Sequence, residues 1–124
     1  MTVQKTVLII DDDESHLLTA KGIIEGLGFR VVMHNSPFRT TETVLKTKPD
    51  MLLIDVNMPA LPGDQLCSLL RDEPELTSLP IYLYSSNDED ILRESAVKYQ
   101  ADGYICKGSI SALRAKVQFE LGFS

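Results

Sequence analysis

Five short apolar runs alternate with longer segments of helical period along the chain. The runs are TVLII (6–10), RVVMH (30–34), MLLID (51–55), IYLYS (81–85) and GYIC (103–106). They are rich in Val, Ile and Tyr, and two of them show little alternation of apolar with polar residues. This pattern is typical of strands that are covered on both faces of a sheet. The runs therefore predict five buried β-strands.

The segments between and after the runs predict five helices. On the first helix, one face carries Leu17, Ala20, Ile24 and Leu27. The glycine pair Gly26 and Gly28 helps to end that helix. Ser36 and Pro37 form a cap and first-turn pair, which predicts a second helix from there to about Lys46.

The remaining three helices each carry an apolar stripe. The third begins near Gly63, and Pro74 stops it; the fourth is capped around Asn87 or Asp88; the fifth starts at Ser109. Their stripes are Leu66, Leu69 and Leu70; Ile91, Leu92, Ala96 and Tyr99; and Ile110, Leu113, Val117 and Leu121. Strand followed by helix, repeated five times with right-handed crossovers, predicts an α/β fold with a doubly wound parallel sheet. In such sheets, ligands bind beyond the carboxyl ends of the strands.

Length, charge and composition disfavour several classes of partner and location. The chain has 124 residues, one domain's worth, and a formal net charge of −6 that argues against nucleic acid or an anionic membrane as the main partner. The two cysteines match no zinc spacing, which favours small buried residues of a reducing compartment. The sequence shows no signal peptide and no run near the ~20 apolar residues of a membrane span. We therefore expect a cytoplasmic protein.

The predicted strand ends deliver charged and hydroxyl side chains to one rim. The first strand delivers Asp11 and Asp12, the third Asp55, the fourth Ser85 and the fifth Lys107. Neither a G-x-G-x-x-G nor a Walker phosphate loop follows the first strand, which disfavours dinucleotide and ATP binding. Carboxylates are preferred ligands of Mg²⁺, and a phosphoryl group also takes a lysine and a hydroxyl donor. The rim therefore predicts a Mg²⁺ site that handles a phosphoryl group.

Four motifs carry a family resemblance over nearly the whole chain. The order IIDDDE, LLIDVNMPALPG, LYSS and GYICKG resembles the receiver domain of two-component response regulators. In that family, a carboxylate at the end of the third strand accepts a phosphoryl group, with Met three, Pro four and Gly eight residues on. Asp55, Met58, Pro59 and Gly63 match this spacing. The resemblance implies a flavodoxin-like fold with five strands in the order 2-1-3-4-5.

The resemblance also implies a role for each matching residue. Asp55 is expected to be the nucleophile and phosphorylation site, and Lys107 to pair with Asp55 and then with its phosphate. Asp12 is expected to bind Mg²⁺ directly, Asp11 through water, and Asn57 through its backbone carbonyl.

A second group of expected roles concerns signalling. Ser85 resembles the hydroxyl residue that turns towards the phosphoryl oxygen, and Tyr104 the aromatic switch that then swings inward. The expected partners are a histidine kinase or phosphotransfer protein and an output partner on the face of the fourth helix, fifth strand and fifth helix. A dimer formed on phosphorylation is a further expectation.

One position departs from the family pattern. The family usually follows this lysine with proline, often through a cis bond, whereas Gly108 follows Lys107 here. This departure affects the geometry of the loop and therefore the direction in which Lys107 points. The length of the chain fits a single receiver domain over 1–124, either stand-alone or cut from a longer response regulator.

Two rival functions stay open. The run from Asp11 to Ser15 reads D-x-D-x-S, which resembles haloacid-dehalogenase phosphatases, with Asp11 as nucleophile and Asp13 as acid/base. The other rival is an interaction module with the receiver fold that works without phosphorylation.

Other residues have ordinary structural explanations. Asp11 to Glu14 suit the start of a helix, and the two histidines, His16 and His34, have no partner at a useful spacing. Phe119 and Phe123 lie off the fifth apolar stripe, which predicts either helix-end packing or an exposed contact for a partner or dimer.

Overall fold

The five apolar runs form one parallel sheet. The structure is a computed structural model that describes residues 4–123. Its strands are β1 (Thr6–Ile10), β2 (Arg30–His34), β3 (Met51–Asp55), β4 (Ile81–Ser85) and β5 (Gly103–Cys106). All four strand pairings are parallel, and the strand order is β2-β1-β3-β4-β5. The predicted strands, fold class and strand order are therefore confirmed.

Five helices connect and cover the strands. They are α1 (Glu14–Gly26), α2 (Thr40–Thr47), α3 (Gly63–Arg71), α4 (Glu89–Lys98) and α5 (Ile110–Leu121), with a short 3₁₀ turn over Pro74–Leu76. Three helices start at a side-chain cap. Asp13, Asp88 and Ser109 each accept a hydrogen bond from a backbone N–H of the first turn, which satisfies a donor that the helix leaves free. Within residues 4–123, no helix is long and apolar enough to cross a membrane.

Two apolar layers bury both faces of the sheet. One layer joins alternate residues of the inner strands, such as Leu8 and Leu52, to α3 and α4. The other joins the intervening residues, such as Val7 and Leu53, to α1 and α5. β1, β3 and β4 are buried at every position, as expected of parallel strands that are covered on both faces of the sheet.

The second helix begins later than the sequence predicts. Ser36 and Pro37 form a separate turn, in which the Ser36 hydroxyl accepts a hydrogen bond from the Phe38 N–H at 3.1 Å. Arg39 then takes a left-handed conformation with φ of +59° and is the N-cap residue, so the helix itself starts only at Thr40. The Ser-Pro signal therefore marks a turn here.

Three residues of the predicted apolar stripes face solvent. Leu69 and Ile91 are each 55% exposed, and Ile110 is 50% exposed. A helix packed on a sheet buries only a narrow stripe, and Leu66 with Leu70 already fills it on α3. Ile110 is the first residue of α5, so it precedes the part of the helix that lies over the sheet.

Gly63 is required by the close approach of α3 to β3, which yields a stability prediction. A Cβ on Gly63 would lie 1.8 Å from the Asp55 carbonyl oxygen and 2.6 Å from its carbonyl carbon. We expect Gly63→Ala to lower the free energy of unfolding by about 3 kcal/mol because rigid backbone must move. Urea unfolding followed by circular dichroism measures the change.

Gly22 is the matched control for this prediction. It lies within α1, and a Cβ there would meet nothing within 4 Å. Gly22→Ala should therefore raise the free energy of unfolding by roughly 0.5–1 kcal/mol, because alanine favours the helix. Equal effects of the two substitutions would refute the close approach.

Candidate functional site

Four strand ends bring the predicted site residues to one rim. Asp11 directly follows β1, Asp55 and Ser85 end β3 and β4, and Lys107 directly follows β5. β1 and β3 are neighbours although β2 separates them in sequence, so the direction of winding reverses between them. This switch point is where open α/β sheets bind ligands, and Asp11 and Asp55 lie at its two sides.

Three carboxylates form a cluster at this point. One carboxylate oxygen each of Asp11, Asp12 and Asp55 lies within 4.8 Å of the other two. Asp11 is fully buried and Asp55 is 3% exposed, whereas Asp12 lies open to solvent. Hard oxygen donors with one solvent-facing member are the ligand set that Mg²⁺ takes while keeping several waters. The donor chemistry therefore fits the predicted metal.

Lys107 bridges the two buried carboxylates. Its Nζ lies 2.7 Å from Asp11 Oδ2 and 3.2 Å from Asp55 Oδ1, and its side chain is only 10% exposed. Its ammonium also lies 5.4 Å from the centroid of the Tyr84 ring, within the range of a cation–π contact. When all three acids are ionised, one ammonium leaves an excess of negative charge at the rim.

Burial and the neighbouring charges shift the pKa of Asp55. Burial raises the pKa of Asp55, and the neighbouring Asp11 raises it further, while the ammonium of Lys107 opposes both. The net result is a pKa above the ordinary value of 3.8. A second cation beside Asp55 would therefore favour its ionised form.

Gly108 shapes the loop that aims Lys107. Lys107 N–H donates to the Ser85 carbonyl at 2.8 Å, and Ser109 N–H donates to the Cys106 carbonyl at 3.3 Å, which closes a tight turn. Gly108 has a φ of +90°, a value that proline, fixed near −65°, does not adopt. No peptide bond is cis in the described part of the chain. The loop thus reaches Asp55 by a glycine turn in place of the family's proline.

A hydrogen-bonded group links the ends of β3 and β4. The Asn57 side-chain amide donates to Ser85 Oγ at 3.0 Å and to Asn87 Oδ1 at 2.9 Å, while Asn57 N–H donates to Asp55 Oδ1 at 3.2 Å. Asn87 N–H also donates to Ser85 Oγ at 3.1 Å. The buried Ser85 hydroxyl therefore accepts two hydrogen bonds and keeps its own proton to donate.

Tyr104 points away from this rim, towards α4. Its hydroxyl donates to Glu89 Oε1 at 2.8 Å and accepts from Arg93 Nη2 at 3.0 Å. The hydrogen bond to Glu89 raises the pKa of the Tyr104 phenol. Arg93 also lies over the ring, 5.6 Å from its centroid. Two residues that the sequence did not single out thus hold the predicted switch residue outward.

His16 is the site residue that sequence reasoning missed. Its Nδ1 lies 2.9 Å from Lys107 Nζ and 3.6 Å from Asp11 Oδ2. The expectation that neither histidine has a partner is therefore wrong; His34 also contacts the Phe38 carbonyl, at 2.7 Å. The pairing of residue 16 with residue 107 depends on the packing of α1 beside the loop after β5, which no local pattern encodes.

The sequence of this chain matches a known family of signalling domains. A model of the response regulator receiver domain matches residues 7–118. The chain belongs to the response regulator receiver family. Receiver domains are signalling domains and not classical enzymes.

Known receivers resemble this one over most of its length. Protein RcaC of Microchaete diplosiphon is 32% identical over 105 residues, which cover 85% of this chain but 16% of that protein. The polar-differentiation response regulator DivK of Brucella ovis is 24% identical over 107 residues, covering 83% of this chain and 84% of DivK. The chain thus spans under a fifth of RcaC but most of DivK.

Solved structures share the fold closely. A putative response regulator from Chloroflexus aurantiacus superposes with a TM-score of 0.89 at 26% identity, covering 96% of this chain and 98% of that one. The BeF3-activated N-terminal receiver domain of RstA from Klebsiella pneumoniae gives 0.82 at 28% identity, covering 94% and 98%.

The raised pKa of Asp55 predicts a dependence of stability on pH. The folded protein holds the Asp55 proton to a higher pH than the unfolded chain does, so this group lowers stability as pH rises above 3.8. Without metal, Asp55→Asn should therefore stabilise the protein more at about pH 7 than at about pH 3. Urea unfolding of wild type and variant at both pH values, in EDTA, measures the difference.

Asp13→Asn is the control of opposite sign. Hydrogen bonds from the Ser15 hydroxyl and the His16 N–H lower the pKa of Asp13. The stability from its ionised form is present above 3.8 and is lost as pH falls through the lowered pKa. Asn also caps helices, so Asp13→Asn keeps the cap and removes only the ionised carboxylate. The substitution should therefore lower stability more at neutral than at acid pH. The same pH trend in both variants would contradict the assignment.

Proposed function

We propose that Asp55 accepts a phosphoryl group from the phosphohistidine of a histidine kinase or phosphotransfer protein, in a reaction that requires Mg²⁺. The observation that carries this proposal is a buried carboxylate at the switch point, 3.2 Å from a lysine ammonium and inside a cluster of three acids. In the transfer, an Asp55 oxygen bonds to phosphorus as the N–P bond breaks. The donor imidazole leaves with the electron pair of that bond.

The two oxygens of Asp55 have different surroundings. Oδ1 faces Lys107 and accepts the hydrogen bond of Asn57 N–H. No residue among 4–123 donates a hydrogen bond to Oδ2. Since hydrogen bonds and a nearby ammonium reduce the nucleophilicity of an oxygen, Oδ2 is the atom that we assign to the attack.

Asp12, Asp55 and the Asn57 backbone carbonyl would hold Mg²⁺, with Asp11 acting through water. The bound ion would supply positive charge for the oxygens of the phosphoryl group in the transition state. Asp11 suits an indirect role because both of its oxygens are engaged: Asp13 N–H donates to Oδ1 at 2.9 Å and Lys107 to Oδ2 at 2.7 Å. Asp12 is the exposed acid and suits direct contact with a hydrated ion.

Lys107 and Ser85 would bind the transferred group. Lys107 already contacts the acceptor carboxylate, so a small movement redirects one of its donors to a phosphoryl oxygen. The Ser85 hydroxyl has a proton to donate but is held by Asn57 and Asn87. Turning it towards the phosphoryl group would break those two contacts, which links phosphorylation to the start of α4.

The output of this movement would appear on the face made by α4, β5 and α5. Tyr104 leaves its contacts with Glu89 and Arg93 when it swings inward, so this face changes in shape and charge. Phe119 and Phe123 are 79% and 83% exposed. They offer apolar surface to an output partner or to a second copy of the chain. We propose that the domain acts through such contacts.

The phosphatase rival fits the geometry poorly. Asp11, its required nucleophile, is fully buried with both oxygens occupied. Asp13, its required acid, has a lowered pKa and caps α1, so it is a weak proton donor. An interaction module without phosphorylation would need no acceptor, acids or lysine, and all of them are brought together here.

The test of the proposal is phosphorylation in vitro. The protein is incubated with Mg²⁺ and acetyl phosphate, and its intact mass is measured beside Asp55→Asn and Asp11→Asn. We expect wild type to gain the mass of one phosphoryl group, EDTA to prevent the gain, and Asp55→Asn to show none. We expect Asp11→Asn to gain it more slowly.

Three outcomes would contradict the proposal. A gain that survives in Asp55→Asn but not in Asp11→Asn would move the chemistry to Asp11. No gain from acetyl phosphate, phosphoramidate or a phosphorylated histidine kinase would indicate a binding module. A gain unaffected by EDTA would refute the role of the metal.

A further inference from the structure

Lys107 has a third partner in addition to its two carboxylates. His16 lies near the start of α1, and its Nδ1 is 2.9 Å from Lys107 Nζ. The ammonium is 2.7 Å from Asp11 and 3.2 Å from Asp55, so the three distances are similar. A lysine ammonium has three N–H donors. The ammonium thus faces three acceptor groups from different parts of the fold, and His16 supplies the one that is not a carboxylate.

The contact with Lys107 fixes the tautomer of the imidazole. Lysine only donates, so His16 Nδ1 accepts and the ring proton lies on Nε2. Nε2 faces Asp13 Oδ2 at 3.8 Å, which is too long for a hydrogen bond but favourable for a carboxylate beside an N–H edge. Asp13 is itself anchored, because it accepts from the Ser15 hydroxyl at 2.6 Å and from His16 N–H at 3.2 Å. The ring therefore contacts Lys107 on one side and lies beside an anchored carboxylate on the other.

We propose that His16 is a positioning residue for Lys107. It holds the ammonium from the side of α1, together with Asp11, so that the third donor stays directed at Asp55 and at the phosphoryl group that Asp55 would receive. This inference rests on the proposed function. A long, flexible side chain loses rotational freedom at this contact before the reaction, which lowers the cost of arranging it in the transition state.

The alternative for a half-exposed histidine is a surface contact without consequence. His16 is 47% exposed at the side chain, so loss of the imidazole alone costs little packing. Two substitutions separate the explanations. His16→Ala removes the acceptor, whereas His16→Asn keeps a carbonyl oxygen that can accept from Lys107 Nζ. His34→Ala is the matched control, because it removes the other histidine and its contact with Phe38.

The first measurement needs neither metal nor phosphoryl donor. The ammonium signal of Lys107 is observed by ¹H–¹⁵N NMR in metal-free, lysine-labelled protein and is assigned with Lys107→Met. We expect faster hydrogen exchange of that ammonium in His16→Ala, and wild-type exchange in His16→Asn and His34→Ala. Unchanged exchange in His16→Ala would overturn the proposed contact.

The second measurement is the initial rate of phosphorylation by acetyl phosphate with Mg²⁺. We expect His16→Ala to be about threefold to tenfold slower, which is the fold-change that corresponds to the net contribution of one typical hydrogen bond. His16→Asn should recover most of the rate. If His16→Asn is as slow as His16→Ala, ring shape and not the acceptor matters, and the proposal fails.

Failure of the two proposals can be told apart. If wild type takes no phosphoryl group but the ammonium exchange follows His16 as expected, the proposed function fails while the contact of His16 with Lys107 stands. If wild type is phosphorylated and His16→Ala reacts at the wild-type rate, the proposed function stands and the positioning role of His16 fails.

Discussion

One lysine ammonium placed between two buried carboxylates is the interaction on which the rest of the site depends. Asp11 and Asp55 are almost fully enclosed, and two such carboxylates can remain ionised only with a cation between them. Lys107 fills that position but leaves the acid cluster with excess negative charge. Burial is the main reason that the pKa of Asp55 is raised, and the excess negative charge makes the rim attractive to a divalent cation. With its acids ionised, the folded domain therefore carries a net negative charge at the place where we propose that its chemistry occurs, and a divalent cation would neutralise it.

The fold supplies this arrangement through a few local constraints. The strand order places β1 beside β3, so that residues 44 positions apart in sequence share one site. Gly63 lets α3 approach the backbone of Asp55, and Gly108 turns the loop that carries Lys107. The hydrogen bonds of Asn57, Ser85 and Asn87 then connect the acceptor to the start of α4. A change at Asp55 thus has a physical route to the face where Glu89 and Arg93 hold Tyr104.

Much of the fold and of the site was predictable because buried parallel strands have a recognisable apolar sequence pattern. The five apolar runs predicted every strand with its observed bounds. The charged and hydroxyl residues at the ends of the first, third, fourth and fifth runs are the residues that the sheet brings together. Features that depend on packing between distant elements were not predictable. The left-handed Arg39 moves the start of α2, the exposed Leu69, Ile91 and Ile110 fit a helical period but not the narrow contact with a sheet, and His16 meets Lys107 only because α1 lies beside the last loop. In each case, contacts with distant parts of the chain determined the helix start, the exposure or the partner of the residue, and the local sequence pattern does not encode those contacts.

We propose that Asp55 carries the phosphoryl group beside a metal held by the acid cluster. A crystal structure of the protein with Mg²⁺ and beryllium fluoride, a mimic of the phosphoryl group, tests it most directly. We expect the beryllium fluoride group to be bound to Asp55, with Lys107 and Ser85 directed at its fluorine atoms. We also expect one ion to be bound by Asp12 and Asp55. A fluoride group on Asp11, or an ion bound away from these three acids, would contradict it.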